Sequence, residues 1–467
     1  MRRLISLLLI LPACGIAAEL PDIDWQSVER EALEHFRAIL RIDTSSPPGN
    51  ETEAANYLEA VLAEAGIASE QYALDPERAS IVARVRGNGS KRPLLLMGHT
   101  DVVGTDPERW SVDPFAAETR NGYIYGRGTL DDKDMVTAGL MIALLLERHG
   151  VELDRDIIYL AESGEEGTPE YGIEYMTENH WDAIAAEYCL AEGGTTVSVD
   201  GEVSYVAVAA TEKFAMRVRL IARGTAGHGS IPRIDNAVAA LGRAVGRLGE
   251  WQPPVRLNAI TRAYFERLAT ISEGDDAQRY TRIAVDPQDA DVLAHFALHE
   301  PQHLSLVLTS VVPTIISGGF RMNVIPSEAE AMIDIRALPD EDPDAFYASL
   351  AQVIDDENVE IEPQRIYRPR APASPIDNEM FGALEAVSKR MYPGATMMPT
   401  MLTGATDMSF VRAMGTPCYG IGPVRDQADV AAGGGAHGDD ERILEGSLLE
   451  LIQFLWYTIG EIAVSAD

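Results

Sequence analysis

The apolar run Pro93-Leu94-Leu95-Leu96-Met97-Gly98 stops abruptly at His99-Thr100-Asp101. A short, unbroken apolar run reads as a strand buried on both faces, and such strands belong to parallel sheets covered by helices. The residues that close it therefore fall at the carboxyl end of a strand, where open α/β sheets bind their ligands. Side chains two apart on an extended backbone point the same way, so His99 and Asp101 reach one cavity. One could ligate a metal while the other fixes its tautomer. A histidine at a strand end bonded to a nearby aspartate is also a common structural pairing, so the pair needs company before it means chemistry.

The rest of the chain alternates in kind. Residues 81–85 and 157–160 read as strands, and residues 25–41, 52–65 and 135–146 carry helical spacing, the pattern of an α/β fold. Around Lys213 the pattern changes. Residues 214–220 alternate like a half-exposed strand, a helix is predicted over 236–248, and residues 321–336 alternate again after a poorly patterned stretch, 251–309. Strands open on one face with helices on the other predict a smaller α+β domain. Buried-strand and helical patterns return from about Pro375, with a helix over 380–390 and a strand over 417–421. The expected organisation is thus an α/β domain of residues 19–212 and 367–467, interrupted by an inserted domain, 213–366.

At 467 residues the chain is long for one core, which agrees with two domains. Its 38 Lys and Arg against 73 Asp and Glu leave a net charge of −35, a field that repels nucleic acid and anionic membranes, so no nucleic-acid partner is expected. Met1-Arg2-Arg3, an apolar stretch from Leu4 to Leu11 and small residues through Ala18 have the layout of a signal peptide, 1–18, too short to span a bilayer. Export to the periplasm or the medium is expected, and Leu11-Pro12-Ala13-Cys14 resembles a lipoprotein box that would anchor the chain through Cys14. Only Cys189 and Cys418 remain, both in apolar strand-like runs, and two buried thiols are expected rather than a disulfide framework.

Further acidic and imidazole groups fall in loops. Gly126-Arg127-Gly128-Thr129-Leu130-Asp131-Asp132-Lys133 is a tight turn delivering acids to the foot of a helix, where aspartate is favoured in any case. Glu165 and Glu166 follow the strand 157–160, Glu192 follows Tyr188-Cys189-Leu190, and His437 lies in Gly433-Gly434-Gly435-Ala436-His437-Gly438. Adjacent carboxylates are usually solvent-facing, but two at a strand end can divide labour, one on a metal and one on its water. Two imidazoles and several carboxylates could hold two borderline metals, and zinc suits that ligand set, with cobalt or manganese as alternatives. His295, His299 and His303 also have helical spacing, but no carboxylate motif accompanies them and they are read as a solvated helix face.

In the order and flanks of these motifs the sequence resembles the aminoacylase, carboxypeptidase G and succinyl-diaminopimelate desuccinylase family of dizinc exopeptidases, and within it the carboxypeptidase S-like branch. The resemblance covers nearly the whole mature chain. It implies a zinc-exopeptidase catalytic domain with a mixed, mostly parallel central sheet, plus an inserted α+β lid domain. Carried over, it makes His99 a ligand of one zinc, Asp101 the carboxylate orienting it, and Asp131 the bridge between both zincs. Glu165 becomes the general base and acid, Glu166 a ligand of the second zinc, Glu192 the completion of the first site and His437 of the second. In the inserted domain, Gly224-Thr225-Ala226-Gly227-His228-Gly229-Ser230 is similar to a lid segment whose histidine contacts the scissile group, often from a neighbouring subunit. Asn323 and Arg336 match residues that hold the substrate, and Gly404-Ala405-Thr406-Asp407 resembles the loop near the substrate's carboxylate. From their residue types alone, Asn323 and Arg336 read as a capping side chain and a surface arginine on an edge strand.

Two departures stand out. Asp134 occupies a position that is usually glycine, at the start of a helix. The stretch 251–309 enlarges the lid and alters the surface on which relatives dimerise, so a homodimer is allowed by the resemblance but not carried over from it. The resemblance implies an amidohydrolase or exopeptidase that cleaves small peptides or N-acyl amino acids bearing a free carboxylate, and the N-terminal layout implies that it is exported. A periplasmic binding protein without turnover and a di-metal phosphoesterase are the alternatives. An intact Glu165 favours the enzyme over the first, and the lack of a basic cluster for phosphate argues against the second.

Overall fold

The computed structural model describes residues 20–432 and 434–464. The expected signal peptide with Cys14, and Gly433 of the glycine-rich run, lie outside the described residues.

The predicted buried strands form the middle of a ten-stranded sheet. Its order is Ser69–Ala73, Ala79–Val85, Ile157–Glu162, Leu94–His99, Tyr188–Ala191, Cys418–Gly420, Glu202–Glu212, Thr195–Val199 and Val424–Asp426, with Thr396–Leu402 pairing Glu202–Glu212. Five of these pairings are parallel and four antiparallel, so the sheet is mixed with a small parallel majority. Every residue of Leu94–His99 and Ile157–Glu162 is buried, the apolar runs as expected and also the polar His99 and Glu162 that end them.

One face of the sheet is covered by helix Lys133–His149, which is buried along almost its whole length, with Trp25–Leu40, Glu379–Met391 and Glu445–Ala463 packed around it. Gly150 ends the central helix at φ 56°, a left-handed position that glycine takes without steric cost. The unusual Asp134 does not disturb the start of this helix, which begins one residue earlier at Lys133. Cys189 and Cys418 are free, buried and opposite one another on neighbouring parallel strands. Among the described residues no helix is long and apolar enough to cross a membrane.

Residues after Lys213 build a separate five-stranded sheet with its own core. Strand Glu328–Ala337 lies inside it and alternates buried with half-exposed positions, while helices Ala237–Glu250 and Pro343–Ile354 cover one face. The single strand expected over 214–220 is two, Phe214–Ala215 and Val218–Arg223, both paired with Glu328–Ala337. The break falls at Met216 and Arg217, where the Met216 N–H still donates to the Ile335 carbonyl at 2.8 Å.

The patternless stretch is mostly helical: Ala259–Ile271, Gly274–Val285, Ala290–His299 and Pro301–Ser305 enclose a cluster of Phe265, Tyr280, Ile283 and Phe296. The solvated face expected for the three histidines holds only for His299. Glu300 accepts from Tyr280 Oη at 2.9 Å and faces His295 Nε2 at 3.0 Å, and it also pairs with His303, whose ring packs against Phe265 and Phe296. A half-buried carboxylate that recruits polar side chains inward breaks the apolar periodicity by which helices are read.

Candidate active site

Three neighbouring parallel strands end at the same edge of the sheet. His99 closes one and stands in register with Glu162, the last residue of the next, while Glu192 directly follows Tyr188–Ala191 on the other side. His99 Nδ1 lies 3.0 Å from the Asp101 backbone carbonyl and 3.5 Å from its carboxylate. A carbonyl can only accept, so Nδ1 carries the hydrogen and Nε2 is turned toward Asp131 Oδ1 at 2.9 Å and Glu192 Oε1 at 3.9 Å. The Asp101 carboxylate accepts the backbone N–H groups of Glu165 at 3.0 Å and Glu166 at 2.9 Å. Asp101 thus fixes both the imidazole in front of it and the loop that carries the glutamate pair.

Asp131 sits between two groups of donors. Its Oδ1 faces His99 and its Oδ2 lies 3.1 Å from His437 Nε2, which is 2.9 Å from Glu166 Oε1. The turn carrying Asp131 is anchored by Glu441, which is fully buried, pairs with Arg127 and accepts the Leu130 N–H at 2.8 Å. Because Glu441 follows His437 by four residues, one carboxylate ties the two ligand loops together. Against the cost of burial, hydrogen bonds from His437 and His99 hold the Asp131 carboxyl below its ordinary range. Around it the balance is reversed. Burial, then the Asp131 charge, pushes Glu192 up to about 8, and burial raises Glu162, Glu165 and Asp132 well above normal carboxyl values.

Two clusters can therefore hold metal: His99, Asp131 and Glu192, and Asp131, Glu166 and His437, the ligand atoms of each lying within 4.8 Å of one another. The donor chemistry fits a pair of divalent cations, since imidazole nitrogens and buried, crowded carboxylates are what such ions bind and neutralise. Glu165 is in neither cluster. It lies buried beside them on the loop that Asp101 holds.

The residues expected in the inserted domain stand apart from this group. His228 and Asn323 are exposed on a two-stranded ribbon, Gly227–His228 paired with Val324–Ile325, where the Gly229 N–H donates to the Asn323 carbonyl at 2.8 Å. His228 Nδ1 accepts the Ser230 N–H at 3.2 Å, which leaves Nε2 outward. Arg336 Nε donates to Asp334 at 2.8 Å. Among the described residues none of these three side chains bonds to a residue of the metal clusters. Gly404 is exposed on the loop leading to Asp407. The Thr406 of that loop donates its N–H and Oγ1 to Glu212 at 3.1 and 2.8 Å.

Sequence reasoning missed Arg368. Its guanidinium reaches into the cluster from the segment that rejoins the two domains, contacting Glu165 Oε1, the Glu165 carbonyl at 2.6 Å and Asp407 at 3.2 Å. The signal was compositional: Arg365, Arg368 and Arg370 crowd six residues of a strongly acidic chain.

The model of peptidase family M20/M25/M40 matches residues 95–461. The N-fatty-acyl-amino acid synthase/hydrolase PM20D1 of Xenopus tropicalis is 29% identical over 371 residues, 78% of this chain and 71% of that one. The probable carboxypeptidase S-like 2 of Dictyostelium discoideum is 28% identical, over 79% of this chain and 72% of that one. Among solved structures, an M20 family metallo-carboxypeptidase from Sulfolobus solfataricus aligns with a TM-score of 0.65 at 19% identity, covering 92% of this chain and 98% of that one.

Proposed function

The chain belongs to peptidase family M20/M25/M40, and from that membership we propose that it is a dizinc enzyme releasing an amino acid from N-acyl amino acids or small peptides with a free carboxylate. At the general level it is a metal-dependent hydrolase acting on small peptide-like substrates. One observation carries the finer reading: two ligand clusters share Asp131, and the buried Glu165, which belongs to neither, stands beside them. An N-fatty-acyl-amino acid synthase/hydrolase and a probable carboxypeptidase S-like protein among the similar chains support an amide as the bond attacked, and we read the chain as of the carboxypeptidase S-like kind.

Bound at the clusters, divalent ions would polarise the scissile carbonyl and acidify the attacking water. Glu165 takes the proton from that water as its oxygen bonds to the carbonyl carbon. It returns the proton to the nitrogen as the C–N bond breaks, which sends the amine away neutral. In this proposal closure of the inserted domain carries His228 Nε2, outward in the structure, to the carbonyl oxygen and excludes bulk water. Asn323 and Arg336, in the same inserted domain, are proposed to hold the substrate once it closes. Export by the segment 1–18 is part of this proposal, and a mature chain beginning near Glu19 outside the cytoplasm would support it.

The test is a panel of N-acyl amino acids and dipeptides offered to zinc-loaded and chelator-stripped protein. Release of free amino acid that depends on metal is expected. Ligand binding without turnover, or hydrolysis confined to phosphate esters, would contradict the proposal.

A further inference from the structure

Arg368 is held in an unusual position for a cation that no motif marks. Five residues after strand Val359–Pro363 leaves the inserted domain, its side chain returns to the catalytic sheet edge and is 17% exposed. Nε donates to Asp407, and Nη2 donates to both the carbonyl and the carboxylate of Glu165. Nη1 has no hydrogen-bond partner among the described residues and is not one of the buried polar atoms left without one. A guanidinium recognises carboxylates through parallel donors, and Nη1 is the donor that this one keeps free.

The surroundings sharpen the point. Glu165, Asp407, Glu212 and Glu192 all lie close enough to act on the Arg368 charge. Those that carry a charge repel an anionic substrate, which is held where a cation stands. Arg336 offers a guanidinium on the inserted domain, but in this conformation its Nε serves Asp334. Arg368 already stands inside.

Resting on the function proposed above, we propose that Arg368 is the catalytic-domain residue that reads the substrate's free carboxylate, and that by gripping Glu165 with the same guanidinium it ties carboxylate docking to the placement of the general base. A carboxylate arriving at Nη1 competes with Glu165 Oε1 for the guanidinium's donors. Occupation of the subsite therefore loosens Glu165 toward the scissile bond, while a neutral analogue leaves it gripped. Substrate selection and activation of the base become one event, before the inserted domain closes.

The experiment uses the metal-loaded full chain, N-acetyl-L-methionine and N-acetyl-L-methioninamide, with calorimetric affinity and hydrolysis rate recorded for each. Wild type should bind the acid over the amide by about 10²-fold, the scale of a buried charged donor losing its partner. In Arg368→Gln that ratio should collapse to near one, and Arg368→Lys, which keeps the charge but loses the fork, should recover part of it. An arginine that only braces Glu165 and Asp407 would lower both affinities together and leave the ratio intact, which would overturn the inference. So would a wild type that does not prefer the acid. Wild type that binds the acid selectively but hydrolyses neither compound would refute the proposed activity, and the affinity ratio would still decide the role of Arg368. Metal content and melting temperature of each variant separate a lost contact from a lost fold.

Discussion

Glu165 and Glu166 are neighbours with opposite partners, and the division shows how position rather than residue type assigns a role. Glu166 faces His437 within a ligand cluster, whereas Glu165 faces Arg368 and lies outside both clusters. Glu165→Gln keeps shape and loses the base, so both metals should stay bound while kcat falls at least ~10²-fold, the range of general acid–base help. Glu166→Gln should instead lower metal occupancy. Metal analysis beside initial rates checks both, and unchanged activity in Glu165→Gln would move the base elsewhere. At this scale the sequence was readable where chemistry imposes spacing: H-x-D on a strand end and paired glutamates after the next strand put His99, Asp101, Glu165 and Glu166 in one place. Asp101 was readable in place but not in reach, because its hold on two backbone N–H groups depends on a loop's path. Arg368 was not readable at all. Its contacts to Glu165 and Asp407 cross 203 and 39 residues of chain, and nothing local marks which of three nearby arginines turns inward.

The elements divide the same way. Strands and helices with one apolar rhythm, such as Leu94–His99 and Lys133–His149, fell within a few residues of where they were expected. The helices between Ala259 and Ser305 did not, because their shared core includes Glu300 and His303 as well as Phe265 and Phe296. That core carries a pH dependence of definite sign. Burial lowers the pKa of His303 despite its pairing with Glu300, so the folded form resists a proton that the unfolded chain accepts. Its contribution is present above the unfolded value of ~6.5 and is lost as the pH falls through the lower folded value. Glu300, held below its ordinary range by His303 and Tyr280 against burial, acts in the same direction at more acid pH. The melting temperature should drop between pH 7.5 and 5 in wild type. His303→Phe, which suits the aromatic cluster around it, should flatten that slope at constant metal content. An unaltered slope would place the titrating group elsewhere.

Across the whole molecule, a net charge of −35 surrounds a site that is proposed to take an anionic substrate. Long-range repulsion weakens as the screening length shrinks from ~30 Å at 0.01 M salt to ~10 Å at 0.1 M, while a partly buried guanidinium–carboxylate contact is screened far less. kcat/KM on an N-acyl amino acid should therefore rise over that range, and its carboxamide should show a weaker salt response. Equal salt responses would mean that the global field does not govern encounter. The central claim is that one carboxylate, Asp131, joins two metal sites at the sheet edge beside Glu165. Elemental analysis of wild type and Asp131→Ala tests it most directly. The wild-type chain should carry about two zinc-type ions and the variant should fail to hold the pair; a variant that retains full metal content would contradict the account.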